Sequence, residues 1–242
     1  MRTNRHIALL LAGGKGCRMH QSHPKQFLMI EGKPLITYTM LAFQEHEEID
    51  EIYVVCDHAW EAKVIEMARV ENISKFKGCF PSGETSMQSL ANGINGLLQT
   101  GCANNDIVLT HDSVRPLVSQ KAITNNLKTC LKYGNAITGI QSNEAYMVSK
   151  DKIKSEGFIA RDALFRAQTP QTFFLEDLIQ VFRDVDAEVI QKAQSLYTLM
   201  AENGSMQLYI AQGDSYNLKV TIPEDIEIIQ ALIGWKKQND ME

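Results

Sequence analysis

A glycine-rich segment that also carries cations follows the first apolar run of the chain. Residues 7–12 read IALLLA and pass directly into GGKGCRM at 13–19. Glycines at the end of a strand let backbone N–H groups approach a ligand closely. The spacing fails the dinucleotide fingerprint, because Met19 occupies the third glycine position, and it also fails the G-x-x-x-x-G-K-[ST] phosphate loop. A tight turn that binds no ligand explains the glycines equally well.

Three cations near these glycines favour a phosphate ligand. Lys15, Arg18 and Lys25 lie within one connection of an acidic protein. Like charges held together repel one another, and a polyphosphate between them would remove that repulsion. We therefore interpret the segment as a cradle for a polyphosphate.

A carboxylate follows a second apolar run. Residues 107–112 read IVLTHD, and Ser113 and Arg115 come directly afterwards. Asp112 offers oxygen ligands of the kind that hard divalent cations prefer. Capping of the next turn, or an ion pair with Arg115, explains this carboxylate equally well.

Short apolar runs alternate with longer helical patterns through the first 140 residues. This alternation predicts βαβ crossovers, so the expected fold is α/β, with a Rossmann-like, mostly parallel sheet and helices on both faces. The carboxyl ends of parallel strands face one crevice, which would bring Gly13 and Asp112 together. The predicted strands are 7–12, 52–56, 107–110 and 136–140, and the predicted helices are 34–46, 58–70, 86–98 and 119–133.

The second half of the chain is less regular. Residues 141–166 are polar, and we interpret them as an extended arm or, alternatively, as a surface loop. Helices near 175–183 and 187–203, a strand at 206–211 and a helix after Pro223 are predicted to follow. Thr221 and Glu224 form a capping-box pattern for that last helix. No linker or internal repeat divides the chain, which predicts one domain over residues 1–242.

Composition and charge narrow the functional class. The 242 residues carry a net charge of −5 with His neutral, which disfavours a nucleic-acid surface. The five cysteines form no C-x-x-C pair, which argues against a disulfide framework or a thiolate zinc site and favours a reducing cytoplasm. No run approaches the roughly 18 apolar residues that a membrane span needs. We expect a cytoplasmic protein that binds neither nucleic acid nor a membrane.

Six motifs carry a resemblance to a known family by their order and spacing. They read LAGGKGCRM at 11–19, PKQF at 24–27, SGETSMQSLANGI at 82–94, HDSVRP at 111–116, AQTPQTF at 167–173 and YNLKVTIPED at 216–225. The chain resembles the polyol-phosphate cytidylyltransferases, the group that contains the methylerythritol-phosphate and ribitol-5-phosphate enzymes. The segments THDSVRPLVSQ, KYG, SKDK and YNLKVT resemble the ribitol-phosphate branch more closely.

The resemblance implies a nucleotide-diphospho-sugar transferase fold and a reaction in which a polyol phosphate attacks the α-phosphorus of CTP, with Mg²⁺ bridging the phosphates. It also implies a homodimer that pairs through the arm. Asp112, which offers oxygen ligands, is the candidate ligand for that metal. The implied catalytic residues are Arg18, Lys25, Arg161 and Lys219. The implied nucleotide-binding residues are Leu11, Ala12, Gly13, Gly14, Gly16, Ser82, Gly83, Glu84, Thr85, Ser89, Asp112 and Ser113, and the implied acceptor-binding residues are Arg115, Glu144, Arg161, Thr169 and Lys219.

Three places depart from the family's pattern. Glu144 and Ala145 stand where the family has Asp-Thr in the polyol pocket, Ser86 replaces an arginine, and Ser195 replaces an acidic residue. A pocket that loses a hydroxyl discriminates differently among substrates. We therefore expect ribitol 5-phosphate as the acceptor, with methylerythritol phosphate, or a catalytically weak nucleotide-binding role, as the alternatives.

Overall fold

The computed structural model of the protein describes residues 4–14, 24–203 and 206–239. Its strands are β1 (His6–Leu11), β2 (Met29–Ile30), β3 (Lys33–Pro34), β4 (Glu51–Cys56), β5 (Phe76–Pro81), β6 (Ile107–Asp112), β7 (Asn135–Gln141), β8 (Tyr146–Val148), β9 (Gly157–Ile159), β10 (Phe165–Phe174) and β11 (Ile210–Gln212). Its helices are α1 (Leu35–Gln44), α2 (His58–Val70), α3 (Ser86–Gln99), α4 (Gln120–Tyr133), α5 (Leu175–Asp184), α6 (Ala187–Lys192), α7 (Leu196–Asn203) and α8 (Pro223–Asn239).

Seven strands form the main sheet, in the order β11-β7-β10-β6-β1-β4-β5. The pairs β1–β4, β4–β5, β1–β6 and β7–β11 are parallel. Strand β10 runs antiparallel to both of its neighbours, β6 and β7. The predicted α/β class with a mostly parallel sheet is therefore confirmed.

The first strand is buried on both faces of the sheet. Ala8 and Leu10 pack on one face, and Ile7 and Leu9 pack on the other. Alternate residues of a strand point to opposite faces, so a strand covered on both sides needs a continuous apolar run. Helices α1, α2 and α4 cover the first face, and α3, α5 and α7 cover the second.

Three helices begin just beyond the carboxyl ends of strands, each with a side-chain cap. The side chains of Asp57, Thr85 and Ser119 each accept a hydrogen bond from a backbone N–H in the first turn of α2, α3 and α4. Such caps fix where a helix starts. Because β1, β4, β5 and β6 are parallel, the segments that follow these strands meet at one edge of the sheet.

Strands β8 and β9 form an antiparallel hairpin that is separate from the main sheet. The hairpin lies between β7 and β10, within the segment that the sequence suggests is an arm. Its large apolar side chains face outward: Met147 is 78%, Ile153 is 90% and Phe158 is 83% exposed. Apolar side chains grouped in this way on a surface are typical of an interaction site.

The second half of the chain differs from its predicted elements. The helix predicted over 187–203 is two helices, because Ser195 caps α7: its Oγ accepts from the Thr198 N–H, and its own N–H donates to the Thr198 hydroxyl. Strand β11 covers three residues, Ile210–Gln212, where a longer strand at 206–211 is predicted. Strands β5 and β10 are not among the elements that the sequence pattern predicts.

The last helix starts at Pro223, as predicted, but with a different cap. The Asp225 carboxylate accepts from the backbone N–H groups of Thr221, at 2.6 Å, and Ile222, at 3.0 Å. The Thr221 hydroxyl donates to the Lys219 carbonyl, so its predicted capping box with Glu224 is wrong. Within the described part of the chain, α8 and the other helices are too short or too polar to cross a membrane.

Candidate active site

The glycine segment packs tightly against its neighbours. The Ala12 N–H donates to a carbonyl of β4 at 2.8 Å. The side-chain amide of Gln26 donates to the carbonyl oxygens of Ala12 and Gly14, at 2.5 and 3.2 Å. A Cβ on Gly13 would lie 2.5 Å from the Cβ of Ser82, so a larger residue does not fit there. The glycine at this position therefore permits a close approach between two segments.

A turn that continues into the start of α3, together residues 82–89, forms the opposite wall. The Gly83 N–H donates to the Ser89 hydroxyl at 2.9 Å, and that hydroxyl donates to the Thr85 carbonyl at 2.9 Å. The Glu84 N–H donates to a glutamine side chain in the first turn of α3 at 2.8 Å. Hydrogen bonds to both backbone and side chains hold this turn in one conformation, so it presents a defined surface to a ligand.

Asp112 pairs with two cations. Its Oδ2 lies 2.9 Å from Nε of Arg115, and its Oδ1 lies 3.0 Å from Nζ of Lys219. Burial alone would raise the pKa of this carboxyl, but the charges and hydrogen bonds of Lys219 and Arg115 outweigh burial and hold the pKa well below its usual range. Asp112 is therefore ionised near neutral pH and orients both cations.

A cavity of about 410 Å³ opens between these three segments. Lys25 lines this cavity, and its Nζ donates to the Val220 carbonyl at 2.7 Å. Glycine backbone beside two lysines suits the charge of a triphosphate. Ten of the predicted site residues line the cavity: Leu11, Gly13, Gly14, Lys25, Glu84, Thr85, Ser89, Asp112, Ser113 and Lys219.

A second cavity, of about 180 Å³, adjoins the first. Leu11, Asp112 and Lys219 border both cavities, whereas Arg115 and Thr169 line only the smaller one. The smaller cavity therefore brings an Arg and a Lys together around one carboxylate, an arrangement that suits a phosphate monoester.

Asn217 ties together the segments around the smaller cavity. Its carbonyl accepts from Nη1 of Arg115 at 2.9 Å, and its side-chain amide donates to the Thr169 carbonyl at 2.7 Å. The Thr169 hydroxyl in turn accepts from the Asp112 N–H at 3.1 Å. Asn217 carries no sequence signal except its place in the YNLKVT motif, so its role is visible only in the fold.

Among the described residues, a groove of about 540 Å³ lies between α3, α5 and α6. It shares Glu84 and Thr85 with the site, but its lining is mostly apolar. Its one lining cation, Arg183, already pairs with Asp184 at 2.7 Å. The two smaller cavities therefore suit phosphates better than this groove does.

The remaining predicted residues are not among those that line the two cavities. Glu144 and Arg161 are exposed on the arm and line neither cavity. Three residues lie within two chain positions of the lining: Ala12, Ser82 and Gly83. Three others lie outside the described residues, so their roles stay predictions: Lys15, Gly16 and Arg18.

Asp112 is the candidate ligand for Mg²⁺. Over residues 4–14, 24–203 and 206–239, no three His, Cys, Asp or Glu side chains come together to hold a metal ion. Both Asp112 oxygens already accept from cations. A Mg²⁺ ion commonly takes one or two carboxylates and completes its shell with substrate phosphates and water. The residues therefore fit a Mg²⁺ ion that is held mainly by a triphosphate.

His111 borders the smaller cavity and is fully buried, with its ring against Phe43. Burial lowers the pKa of His111 to about 3. The unfolded chain binds this proton near pH 6.5. Below that pH the proton favours unfolding, so His111 alone lowers the free energy of unfolding by about 1.4 kcal/mol per pH unit as the pH falls towards 3.

We expect His111→Gln to remove this contribution of the His111 proton to the pH dependence of stability. The free energy of unfolding of the variant should then fall less steeply between pH 6.5 and 5 than that of the wild type. Urea unfolding at several pH values measures the slope. His58→Gln is the matched control, because the His58 ring is 94% exposed. A His111→Gln slope equal to the wild-type slope would contradict the prediction.

The position of the two cavities defines the class of protein. Both open at the carboxyl ends of β1 and β6, where α/β proteins bind nucleotides. A triphosphate in one cavity and a phosphorylated acceptor in the next would be side by side. The fold and the site are those of a nucleotidyltransferase.

Comparison with known proteins gives the family. The family model for IspD, 2-C-methyl-D-erythritol 4-phosphate cytidylyltransferase, matches residues 6–234, and the chain belongs to this family. The predicted relationship to the polyol-phosphate cytidylyltransferases is thus confirmed.

Relatives with two different acceptors match almost the whole chain. The ribitol-5-phosphate cytidylyltransferase of Lacticaseibacillus paracasei is 33% identical over 95% of this chain and 98% of its own. The 2-C-methyl-D-erythritol 4-phosphate cytidylyltransferase of Clostridium acetobutylicum is 32% identical over 98% of this chain and 100% of its own. A solved structure, the 4-diphosphocytidyl-2C-methyl-D-erythritol synthase of Anaerococcus prevotii, shares the fold with a TM-score of 0.78, at 21% identity over 96% of each chain.

Proposed function

We propose that this protein transfers CMP from CTP to ribitol 5-phosphate, giving CDP-ribitol and pyrophosphate. The observation that carries the proposal is the pair of adjoining cavities bordered in common by Asp112 and Lys219. The triphosphate of CTP occupies the larger cavity, and the acceptor phosphate occupies the smaller one. The reacting groups then meet beside Lys219.

The transfer forms one bond and breaks another. A phosphate oxygen of the acceptor attacks the α-phosphorus of CTP, and the bond from that phosphorus to the oxygen bridging to the β-phosphorus breaks, which releases pyrophosphate. Such a reaction needs alignment and charge stabilisation more than covalent help from the protein. Lys25 supplies positive charge in the larger cavity, and we assign the same role to Arg18.

The turn over residues 82–89 receives the cytosine and ribose. Its fixed N–H groups and small polar side chains suit close contact with a base edge. Ser113 lines the same cavity, and its buried hydroxyl has no hydrogen-bond partner among the described residues. A buried polar atom in such a position favours a bond to a ligand.

The acceptor phosphate is held by Arg115, Lys219 and the segment at Thr169. The Arg115 guanidinium is fixed by both Asp112 and the Asn217 carbonyl, so it keeps one orientation when substrate arrives. A Mg²⁺ ion carried by the triphosphate, with Asp112 as its protein ligand, would neutralise part of the phosphate charge.

We further propose a homodimer in which the arm of one protomer completes the acceptor site of its partner. This arrangement explains why Arg161 and Glu144 are exposed on the arm and lie outside both cavities, beside apolar side chains that a second copy would cover.

Mixing two inactive variants tests the dimer. Lys25→Ala and Arg161→Ala each damage one part of the site, but a mixed dimer joins an intact Lys25 to an intact Arg161 from the other protomer. Random exchange makes half of the dimers mixed, and each mixed dimer has one intact site, so we expect turnover to recover towards about one quarter of the wild-type value. A mixture no more active than its components, or a fully active monomer, would contradict the shared site.

The choice of acceptor rests on the departures at Glu144 and Ala145. A longer carboxylate and a missing hydroxyl reshape the pocket, and the linear chain of ribitol 5-phosphate fits the change better than a methyl-branched one. Pyrophosphate release from each nucleoside triphosphate, with each polyol phosphate, tests both substrates. We expect CTP with ribitol 5-phosphate to give the highest kcat/KM.

Methylerythritol phosphate is the second candidate acceptor, because a relative named 2-C-methyl-D-erythritol 4-phosphate cytidylyltransferase matches 98% of this chain. A tenfold preference for it, about 1.4 kcal/mol in transition-state binding, would replace the acceptor while leaving the cytidylyltransferase reaction in place.

A further inference from the structure

Gln26 is a buried amide that lies between Lys25, which lines the larger cavity, and Phe27, which packs in the core. It is the middle residue of the 3₁₀ turn Lys25–Phe27, and it is only 3% exposed. Its Nε2 donates to both the Ala12 and the Gly14 carbonyl, at 2.5 and 3.2 Å. One amide group therefore spans the glycine segment that borders the larger cavity.

These two carbonyls matter because of the ligand beside them. A carbonyl oxygen turned towards a phosphate repels it, whereas a carbonyl that accepts from an amide has its negative end covered. The peptide plane also links each carbonyl to the next N–H, which points in the opposite direction in a trans peptide. Holding the Ala12 carbonyl therefore fixes the direction of the Gly13 N–H.

The two residues that flank Gln26 in the chain are both anchored by contacts of their own. Phe27 stacks on Trp60, with ring centroids 4.3 Å apart and planes 12° apart. On the other side the Nζ of Lys25 donates to the Val220 carbonyl at 2.7 Å. The turn is thus anchored independently of the glycine segment, and it can act as the fixed reference for that segment.

We propose that Gln26 is a positioning residue for the triphosphate. Its amide donates to two carbonyls and so sets the orientation of the glycine backbone. It also holds that backbone at a fixed position relative to Lys25. The proposal rests on the proposed function, because the ligand it serves is the triphosphate of CTP.

Two substitutions separate this role from simple packing. Gln26→Met keeps the length of the side chain and removes the donor. Gln26→Glu keeps the shape, but above its pKa the new carboxylate faces two carbonyls and the triphosphate. Burial beside carbonyls raises the pKa of that carboxyl, and when protonated it regains an O–H donor. Gln44→Met is the control, because the Gln44 amide also bonds to the backbone, where its Oε1 accepts from the Lys75 N–H at the end of α1, away from the site.

The readouts are the Kd of CTP by calorimetry and the KM of each substrate, at several pH values between about 5.5 and 8.5. For Gln26→Glu we expect a CTP Kd at least tenfold above the wild-type value near pH 8, with the ratio shrinking as the pH falls. For Gln26→Met we expect a smaller rise that does not change with pH. The acceptor KM should change less than twofold in both variants, and Gln44→Met should bind CTP like the wild type.

Three results would overturn the role of Gln26 without affecting the proposed function. They are wild-type CTP affinity in both variants, a ratio of Gln26→Glu to wild-type CTP Kd that does not change with pH, or an acceptor KM that rises as much as the CTP Kd. Thermal unfolding of each variant without nucleotide, at each pH, shows that folded protein is being compared. Failure of the wild-type protein to bind CTP would instead overturn the proposed function.

Discussion

Replacing Lys25 with alanine is expected to lower kcat by about 100-fold or more, roughly 3 kcal/mol of transition-state stabilisation. Lys25 lines the larger cavity, and its Nζ is fixed by the Val220 carbonyl at 2.7 Å. A cation held in place before the reaction acts most strongly on charge that develops at the α-phosphorus during transfer. The Kd of CTP should therefore change much less than kcat.

Lys63→Ala is the matched control for this prediction. Lys63 is exposed on α2, with its Nζ 5.0 Å from the centre of the Trp60 ring that stacks on Phe27, so it is a neighbouring lysine outside the cavity. Its removal should leave kcat within about twofold of the wild type. If Lys25→Ala raised the Kd of CTP by the whole factor and kept its turnover at saturation, Lys25 would be a ground-state binding residue only.

Replacing Lys219 with methionine is expected to have a comparable effect on the other substrate. Its Nζ pairs with Asp112 at 3.0 Å, and the residue borders both cavities. Without it the acceptor phosphate loses a charged partner and Asp112 keeps only Arg115. We expect kcat/KM for ribitol 5-phosphate to fall by about 100-fold, roughly 2.7 kcal/mol, with the Kd of CTP changed less than threefold.

Lys121→Met is the control for Lys219, since it removes the same charge from an exposed position on α4. Steady-state kinetics with each substrate varied in turn separates the two effects. An equal loss of affinity for CTP and for the acceptor would mean that Lys219 serves the whole site and does not belong to the acceptor side.

The central strands are predictable because residues that are apolar in the sequence are also buried in the fold. Strands β1 and β6 are continuous apolar runs, and a parallel strand that is covered on both faces requires such a run. Strand β5 lacks that signal. It is the edge strand of the sheet, and its residues are half-buried or exposed, with Lys77 and Gly78 inside it.

Strand β10 is not predicted from the sequence, for a different reason. Its middle residues are polar, as in a loop, yet Gln171 and Thr172 are buried. Tertiary hydrogen bonds make this possible: the Thr110 hydroxyl donates to the Gln171 carbonyl at 2.9 Å, and the Thr138 hydroxyl donates to the Pro170 carbonyl at 2.6 Å. A buried polar strand whose partners lie 32 and 61 residues away cannot be found from local periodicity.

The site is predictable only in part from residue types. Cations near glycines point to a phosphate, but Asp112 and Lys219 are 107 residues apart, and their pairing is a property of the fold. Asn217 and Gln26 carry no chemical signature of their own, because an amide matters here only through the backbone carbonyls beside it. The resemblance places both inside motifs without giving either a role.

The most direct test of nucleotidyl transfer follows the phosphorus atoms of CTP. The purified protein is incubated with ribitol 5-phosphate and CTP labelled with ³²P at either the α or the γ position. Transfer at the α-phosphorus puts the α label in the polyol product and the γ label in pyrophosphate. The α label remaining in CMP or CDP, or the γ label appearing in the polyol product, would contradict the account.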